Sequence, residues 1–398
     1  HPAVTILRVA ALVAAVLALA AATPREPLQA QSFRAADSVI RAGIRRGVYP
    51  GAALVVGRRD TILYRKGYGR LTFSRQSGFA HADSTLWDLA SLTKVVATMP
   101  AALRLAEQGL LELDAPVVLY VPAFGGGAKN LVTVRMLLNH TSGLRPAINL
   151  WRRAPTRGSA FALVLADSLV TAPGTAARYS DLNAIVLGLV LESVTGKPLD
   201  VITREQVLEP LGLRRTMFRP PPKLRPRVAP AAIERGRLVR GVPQDPSARR
   251  LGGVAGHAGL FGTAADLATY AQVWLAQGEA AGHTTRFATA SSIETFLVRD
   301  SSAGTRLLGW DTPDRTTPEP SNFGTLTSDA AYGHTGWTGT QVWIDPARDL
   351  FVVFLTNRSL AANRRRSLDL MREIRASVAD AVVGAVEGCI ERKVQWRC

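Results

Sequence analysis

A serine and a lysine three residues apart are the first residues of this sequence whose types suggest chemistry. Ser91 and Lys94 lie in LASLTKVVATMP (residues 89–100), an apolar run that predicts a helix beginning near Ser91. Residues three apart share one face of a helix, so the amine can reach the hydroxyl. A serine becomes a good nucleophile when a neighbour takes its proton, and burial can push a lysine towards the neutral form that this requires. We therefore predict Ser91 as a nucleophile and Lys94 as its base.

The use of lysine at this position supports that prediction. The chain has 48 lysine and arginine residues, and six of these are lysine: Lys66, Lys94, Lys129, Lys197, Lys223 and Lys393. Arginine keeps its proton in a protein, whereas a buried lysine can release it. A base next to the serine must therefore be lysine, even in a chain that otherwise uses arginine.

Two further motifs follow in a fixed order. Tyr179 lies in PGTAARYSDLN (173–183), and His334 begins the His-Thr-Gly motif of YGHTGWTGT (332–340). The order S-x-x-K, Y-x-N or Y-x-D, and K-T-G or H-T-G resembles the serine hydrolase family that includes class C β-lactamases, D-alanyl-D-alanine carboxypeptidases and related esterases. The resemblance extends over about residues 33–387.

The resemblance implies roles for four catalytic residues. Ser91 would form the acyl-enzyme, Lys94 would be its base partner, and Tyr179 would share proton transfer with the leaving group. His334 would stand on the strand that faces the nucleophile, where most β-lactamases of the family have lysine. A histidine there can donate a hydrogen bond, and the charge of Lys94 would lower its pKa. As an imidazolium at lower pH it would favour an anionic substrate.

The resemblance also implies an oxyanion hole and a binding surface. The backbone N–H groups of Ser91 and Trp337 would bind the oxyanion, and Thr335 would contact the substrate. Gly336 would let the substrate approach the backbone closely. His257, in GHAGLF among glycines, either lines the pocket and binds substrate or has a structural part.

Asp181 departs from the family pattern, which has asparagine at this position. An ionised aspartate cannot donate a hydrogen bond, and in the family that amide holds the acylamide arm of a β-lactam. Asp181 would instead pair with Lys94 and favour the charged form of the lysine. This substrate-binding position therefore favours a peptidase or an esterase over a β-lactamase.

The elements that must position these residues can be read from hydrophobic patterns. Residues 33–48 predict an amphipathic helix, and residues 51–69 predict two strands around a turn at Arg58–Asp60. Residues 339–357 predict a hairpin, and a helical pattern runs from about Arg365 to Val386. Strands at both ends of the chain with helices between them predict an α+β fold: an antiparallel sheet flanked by helices, plus an inserted mostly helical domain.

The pattern also suggests domain boundaries. Residues 31–88 and 325–387 would form a discontinuous sheet domain, residues 89–324 the mostly helical domain, and residues 388–398 a C-terminal tail. Cys389 and Cys398 lie within the tail, where an oxidising compartment would let them close a small loop.

The N-terminal residues suggest export. Arg8 precedes Val9–Ala22, an apolar run of a length typical of signal-peptide cores, so residues 1–30 predict a signal peptide and a secreted or periplasmic protein. A retained membrane anchor is the alternative.

The net charge of +17 admits two explanations. It can attract the chain to an anionic cell envelope, or it can reflect an arginine-rich composition spread over the surface. No basic stripe with interleaved aromatic residues is present, so we expect no nucleic-acid partner. The sequence also lacks metal-ligand spacings and phosphate-binding loops, so we expect no metal and no cofactor.

Three functions remain open at this stage. The first is an exported serine acyl hydrolase for D-alanyl peptides of peptidoglycan, either carboxypeptidase-type or penicillin-binding. The second uses the same residues on small esters or, weakly, on β-lactams. The third is a module that binds cell-wall peptide without turnover, which the complete set of motif residues disfavours.

Overall fold

A computed structural model of the chain describes residues 33–279, 286–317 and 321–393. The predicted signal peptide (1–30) lies outside these residues, as do Cys398 and the side chain of Cys389. The signal peptide and the cysteine pairing therefore stay predictions.

Helices and strands are numbered along the chain. The α-helices are α1 (Arg34–Arg45), α2 (Met99–Glu107), α3 (Val117–Tyr120), α4 (Val134–Leu138), α5 (Leu150–Arg153), α6 (Arg157–Ala166), α7 (Asp181–Thr195), α8 (Leu199–Thr203), α9 (Pro246–Arg250), α10 (Ala264–Leu275), α11 (Ala290–Leu297) and α12 (Arg364–Lys393). The strands are β1 (Gly51–Gly57), β2 (Ile62–Gly69), β3 (Trp87–Asp88), β4 (Met217–Phe218), β5 (Ala232–Glu234), β6 (Arg237–Val239), β7 (Leu260–Gly262), β8 (Tyr332–Thr335), β9 (Gln341–Asp345) and β10 (Leu350–Thr356). A π-helical turn, Lys94–Thr98, leads into α2, and a second, Arg204–Leu208, follows α8.

The two ends of the chain meet in one antiparallel sheet. Within the described residues its strand order is β2-β1-β10-β9-β8. The N-terminal strand β1 pairs with the C-terminal strand β10, with Ala52 opposite Thr356 and Gly57 opposite Phe351. This confirms the predicted fold class, the N-terminal strand pair and the C-terminal hairpin.

Every residue of β1 and β10 is buried, because helices cover both faces of the sheet. Alternate side chains of a strand point to opposite faces. Leu54 and Val56 thus join one core cluster with residues of α1 and α12, while Ala53 and Val55 join a larger cluster with residues of α10. A strand buried on both faces reads as a continuous apolar run, which is the pattern GAALVVG shows.

The chain between β2 and β8 is mostly helical but includes strands that the sequence did not predict. A small antiparallel sheet with the order β3-β7-β4 lies next to the start of the helix that follows Ser91. Helix α10 belongs to this part of the sequence, yet it packs on β1, β9 and β10. The domain boundaries at residues 88 and 324 stay a prediction.

None of the helices in the described ranges has both the length and the apolar content that a membrane span requires.

Candidate active site

A tight turn presents Ser91 to the cleft. Strand β3 ends at Asp88, and Ala90 then adopts a left-handed conformation with φ of 48°. The Asp88 carboxylate stabilises this turn by accepting the Ala90 N–H at 2.9 Å. The helix begins at Leu92, so the predicted start near Ser91 is confirmed. Because the helix starts here, Ser91 lies at its N-terminal end, partly open to solvent.

Lys94 lies one turn further along, beneath Ser91. Its Nζ is 3.1 Å from the Ser91 Oγ, 2.7 Å from the Asp181 Oδ1 and 3.3 Å from the His257 carbonyl oxygen. Burial alone would lower the pKa of Lys94, but the Asp181 carboxylate and Tyr179 outweigh it and raise that pKa above its ordinary value. The resting Lys94 is therefore an ammonium ion, as the aspartate at position 181 predicted, and the expectation that burial makes this lysine neutral is wrong for the resting protein.

Tyr179 lies at the centre of the polar groups of the cleft. Its ring centroid is 4.8 Å from the Lys94 Nζ, 4.8 Å from the His140 ring and 5.8 Å from the His334 ring. The guanidinium of Arg306 lies 5.1 Å from the same ring. The Lys94 ammonium and the Arg306 guanidinium therefore both lie next to the ring of Tyr179.

His334 lies on β8 with its imidazole buried. Its Nδ1–H donates to the Thr335 carbonyl at 2.8 Å, and its Nε2 has no partner among the described residues. Burial, followed by the positive charges of Arg306 and Lys94, lowers the pKa of His334 well below 6.5. The imidazole is therefore neutral near pH 7, and its Nε2 can accept a hydrogen bond from a substrate.

The residues after His334 are held against the nucleophile segment. Thr338 Oγ1 donates to the Asp88 carbonyl at 2.7 Å, and Thr340 Oγ1 donates to the Leu89 carbonyl at 3.1 Å. A Cβ at Gly336 would lie 2.6 Å from the Leu89 oxygen. Glycine is therefore required here so that the segment after β8 can approach the turn before Ser91.

The two N–H groups predicted for the oxyanion hole are available as donors. Neither the Ser91 N–H nor the Trp337 N–H has an acceptor among the described residues. The Trp337 ring is 47% exposed and lies 4.8 Å from the Arg358 guanidinium.

His257 contributes to the cleft through both its backbone and its ring. Its carbonyl accepts from Lys94, and its Nε2 lies 3.2 Å from the Asp245 Oδ1. Burial raises the pKa of Asp245, but the interaction with His257 outweighs burial and lowers it to about 2. His257 thus contacts Lys94 through its carbonyl and Asp245 through its ring.

These side chains surround one cavity of about 610 Å³. The predicted site residues Ser91, Tyr179, Asp181, His257, His334, Thr335, Gly336 and Trp337 line it, and Lys94 lies buried below Ser91. Within the described part of the chain, no group of three histidine, cysteine or acidic residues is arranged to hold a metal. The catalytic and binding roles of the lining residues stay predictions.

A hydrogen bond joins His140 to Asn183 at the start of α7. The Asn183 Nδ2 donates to the His140 Nδ1 at 3.0 Å, and the Ser180 N–H points to the same nitrogen at 3.3 Å. These two hydrogen bonds hold the loop that follows α4 against the start of α7.

Three residues of the site were missed by the sequence: Asp88, Arg306 and Arg375. Burial raises the pKa of Asp88 to about 6, although the Gln244 and Ala90 N–H groups oppose it. Arg306 pairs with Asp311 at 3.2 Å and lines the cavity, as does Arg375. None of the three lies within a recognised motif; the only available signal was an acidic residue three positions before Ser91.

The fold and this arrangement define a hydrolase of the β-lactamase fold. A family model described as "Beta-lactamase" matches residues 36–376, so the chain belongs to the β-lactamase family.

Relatives agree with this assignment. The chain is 32% identical over 344 residues to a protein of Escherichia coli K12 named "Putative D-alanyl-D-alanine carboxypeptidase", covering 78% of this chain and 79% of the relative. It is 32% identical over 364 residues to "N-acetylmuramyl-L-alanine amidase" of Bacillus subtilis 168, covering 82% and 81%. Both relatives are matched over most of their length.

Solved structures share the fold. A penicillin-binding protein homologue from Caulobacter crescentus superposes with a TM-score of 0.69 at 22% identity, covering 91% of this chain and 99% of the other. EstCE1, "a hydrolase with promiscuous acyltransferase activity", gives 0.68 at 23% identity, covering 87% and 99%.

Proposed function

We propose that the protein is a serine acyl hydrolase that works through an acyl-enzyme on Ser91 and acts on D-alanyl peptides, as a carboxypeptidase-type or penicillin-binding enzyme. The observation that carries the proposal is the arrangement of Ser91, Lys94 and Tyr179 in one cavity, with the Lys94 Nζ 3.1 Å from the Ser91 Oγ. The name of the Escherichia coli relative supports the choice of peptide substrate.

The proposed reaction has two halves. In acylation, the Ser91 Oγ bonds to the acyl carbon of the scissile amide, its proton passes to the pair formed by Lys94 and Tyr179, and that pair protonates the leaving amine. In deacylation, water attacks the ester and Ser91 recovers its proton. Asp181 keeps Lys94 charged. The pair formed by Lys94 and Tyr179 must therefore lose one proton before it can accept the proton of Ser91. Activity should therefore increase with pH around and above neutrality.

The Ser91 and Trp337 N–H groups would bind the oxyanion of each tetrahedral intermediate. Two unsatisfied donors in a buried cleft suit this part, and each is worth about 3–4 kcal/mol in comparable enzymes. Arg306 lines the same cavity and favours a substrate with a free carboxylate.

A carboxylesterase is the second candidate, and Asp181 favours it over a β-lactamase. Both Asp181 oxygens can only accept, and one is used by Lys94. An acylamide carbonyl would find no amide donor at this position, whereas a short ester needs none.

Two measurements test the proposal. Intact-mass analysis after incubation with a penicillin should show one covalent adduct on wild type and none on Ser91→Ala. Turnover of a D-alanyl-D-alanine peptide, p-nitrophenyl esters and nitrocefin should then rank the substrates. A peptide that is bound without turnover, and a protein that takes no label, would support the binding-module alternative.

We also propose export to the cell envelope, on the basis of the apolar run Val9–Ala22 and the charge of +17. Cell fractionation with sequencing of the mature N-terminus tests this. A protein that is found in the membrane fraction and still carries the apolar run has a membrane anchor instead.

A further inference from the structure

Two arginines are buried behind the segment that follows β8. Arg358 is fully buried and Arg375 is 4% exposed, and no carboxylate of the described residues forms an ion pair with either. Burial lowers the pKa of Arg358 to about 10 and that of Arg375 to about 9, so both remain cations at neutral pH. Unpaired buried charges are costly, so the groups they contact need an explanation.

Both guanidinium groups donate to backbone carbonyls, but to different peptide units. Arg375 Nη2 donates to the Gly336 carbonyl at 2.8 Å and to the Thr340 carbonyl at 2.9 Å. Arg358 Nε donates to the Trp337 carbonyl at 2.9 Å. The Gly339 N–H also reaches the Gly336 carbonyl, at 3.0 Å.

The Gly336 carbonyl and the Trp337 N–H belong to the same peptide unit. A hydrogen bond to the oxygen of an amide withdraws electrons from its nitrogen and makes the N–H a stronger donor, which is the polarisation that strengthens hydrogen-bond chains. A cationic donor in a buried site has the largest effect. Arg375 therefore acts at one end of a peptide unit whose N–H belongs to the cavity-lining Trp337 and has no acceptor among the described residues.

We propose that Arg375 is a positioning residue that orients and polarises the Gly336–Trp337 peptide unit, so that the Trp337 N–H binds the oxyanion more strongly. The proposal rests on the acyl-enzyme function proposed above, because only that reaction develops an oxyanion there.

Arg358 provides a matched control. It is an equally buried arginine without a carboxylate partner, and it donates to the neighbouring peptide unit, whose N–H belongs to Thr338 rather than to Trp337. Loss of either arginine removes a buried cation and its hydrogen bonds. Loss of Arg358 also removes the guanidinium that lies 4.8 Å from the Trp337 ring, but only loss of Arg375 removes a donor from the oxygen of the Gly336–Trp337 peptide unit.

The first measurement needs no substrate. Protein with 15N-labelled tryptophan is compared as wild type, Arg375→Gln, Arg375→Lys and Arg358→Gln, with the Trp337 amide assigned through Trp337→Phe. The Trp337 amide proton should move upfield in Arg375→Gln, because a weaker donor is less deshielded, and partly return in Arg375→Lys. It should move much less in Arg358→Gln.

The second measurement follows the acyl-enzyme. With a 13C-labelled acyl carbonyl, infrared difference spectra should show the ester stretch of Arg375→Gln at higher wavenumber than in wild type, because a weaker oxyanion hole polarises it less. The kcat of Arg375→Gln should fall about two- to six-fold. This follows if the hydrogen bond from the Trp337 N–H to the oxyanion is as strong as in comparable enzymes and weakens by about 10–30%. The kcat should fall by the same factor for a neutral ester and for an anionic peptide, and the KM of the ester should be unchanged.

The outcomes separate the possible roles. An unmoved Trp337 amide in folded Arg375→Gln overturns the proposal, and so does an effect confined to the KM of the anionic peptide, which would make Arg375 a substrate-carboxylate ligand. If Arg375→Gln does not fold, Arg375→Lys is used instead, because lysine keeps the positive charge but lacks the planar guanidinium. A Trp337 amide proton at its wild-type chemical shift in this variant contradicts the proposal. A wild type that forms no acyl-enzyme overturns the proposed function, while the amide shift still tests Arg375.

Discussion

Lys94 and Asp181 form an ion pair below the cleft, with 2.7 Å between Nζ and Oδ1. The lysine is 4% exposed, so the pair is screened little by solvent on the lysine side. The aspartate therefore sets the protonation state of the group that is expected to accept the serine proton, and the pH dependence of activity should report on it.

Asp181→Asn should move the rise of kcat/KM to lower pH. Asparagine removes the charge that raises the pKa of Lys94, so the neutral amine is populated at lower pH. It also adds an amide donor, so turnover of acylamido β-lactams should improve relative to short esters. Profiles of kcat/KM against pH measure both effects. Asp311→Asn, which removes the cleft carboxylate paired with Arg306, is the control. In this variant kcat/KM should rise at a pH nearer to that of wild type.

Lys94→Arg should lower kcat by about 10²–10⁴-fold, the usual worth of a positioned acid or base, because the charge stays while the releasable proton is lost. Steady-state kinetics with an ester substrate tests this. Lys129→Arg is the control, since Lys129 is also buried but contacts the carbonyls of Leu165 and Asp167 outside the cleft. An active Lys94→Arg protein would contradict the assignment of the base.

His334 should not titrate in activity profiles near neutral pH. The sequence suggested an imidazolium that favours anionic substrates at lower pH, but burial lowers the pKa of His334 well below 6.5. An anionic peptide and a neutral ester should therefore give profiles of the same shape between about pH 5.5 and 7.5. His334→Lys should lower the KM of the anionic peptide alone, whereas His81→Lys, at an exposed position outside the cavity, should not. A wild-type KM for the peptide that falls with a midpoint near pH 6.5 would show that the imidazolium forms.

Asp88→Asn should change how stability depends on pH. The pKa of Asp88 is about 6 in the fold and about 3.9 in the unfolded chain, so the folded protein holds a proton that the unfolded chain releases. Stability from this group is complete below about pH 4 and is lost as pH rises to about 6, which amounts to about 3 kcal/mol at about 1.4 kcal/mol per pH unit.

Denaturant unfolding of wild type and Asp88→Asn across this range measures the difference. His140 and His334 have lowered pKa values and act in the opposite direction below pH 6.5, but both proteins contain them, so they cancel. The charged groups that face Asp88 are Asp245 and Arg249, and they too are shared. A constant stability gap between the two proteins from about pH 4 to about pH 6 would contradict the raised pKa.

Gly336→Ala should reduce kcat by about 10²-fold, the usual effect of a 1 Å displacement of a catalytic group. The new Cβ would lie 2.6 Å from the Leu89 oxygen and 2.1 Å from the Thr340 Oγ1, so the segment carrying Trp337 must move away from Ser91. Gly384→Ala is the control, because a Cβ at that position of α12 meets no atom of the described residues within 4 Å. It should keep activity and gain up to about 1 kcal/mol of stability.

Sequence reasoning succeeded where chemistry is encoded locally. The spacing of Ser91 and Lys94 depends on one helical turn, and the strand pairs at both ends of the chain have strong apolar patterns, so both could be predicted. The ion pair between Lys94 and Asp181 could also be predicted, because the family motif aligns the two positions.

Sequence reasoning failed where burial decides the behaviour of a residue. The effect of Lys94 on the pKa of His334 was expected, but the two larger causes of its lowering are burial and Arg306, which lies 28 positions earlier and in no motif. The contact of Arg375 with the Gly336 carbonyl joins α12 to the segment after β8, and one arginine among many gave no signal of it. Short strands such as β3 and β4 have two residues each, too few for a periodic pattern.

The pairing of β1 with β10 has a consequence for synthesis of the protein. Ala52 meets Thr356, so a growing chain on the ribosome carries β1 and β2 for about 300 residues before their central partner exists. Strand β10 and the His-Thr-Gly segment are synthesised close together near the end of translation. The large sequence separation between β1 and β10 favours slow closure of the sheet. A chain that stops before β10 leaves β1 without this partner, and the unpaired backbone groups of such a strand edge favour pairing with another chain.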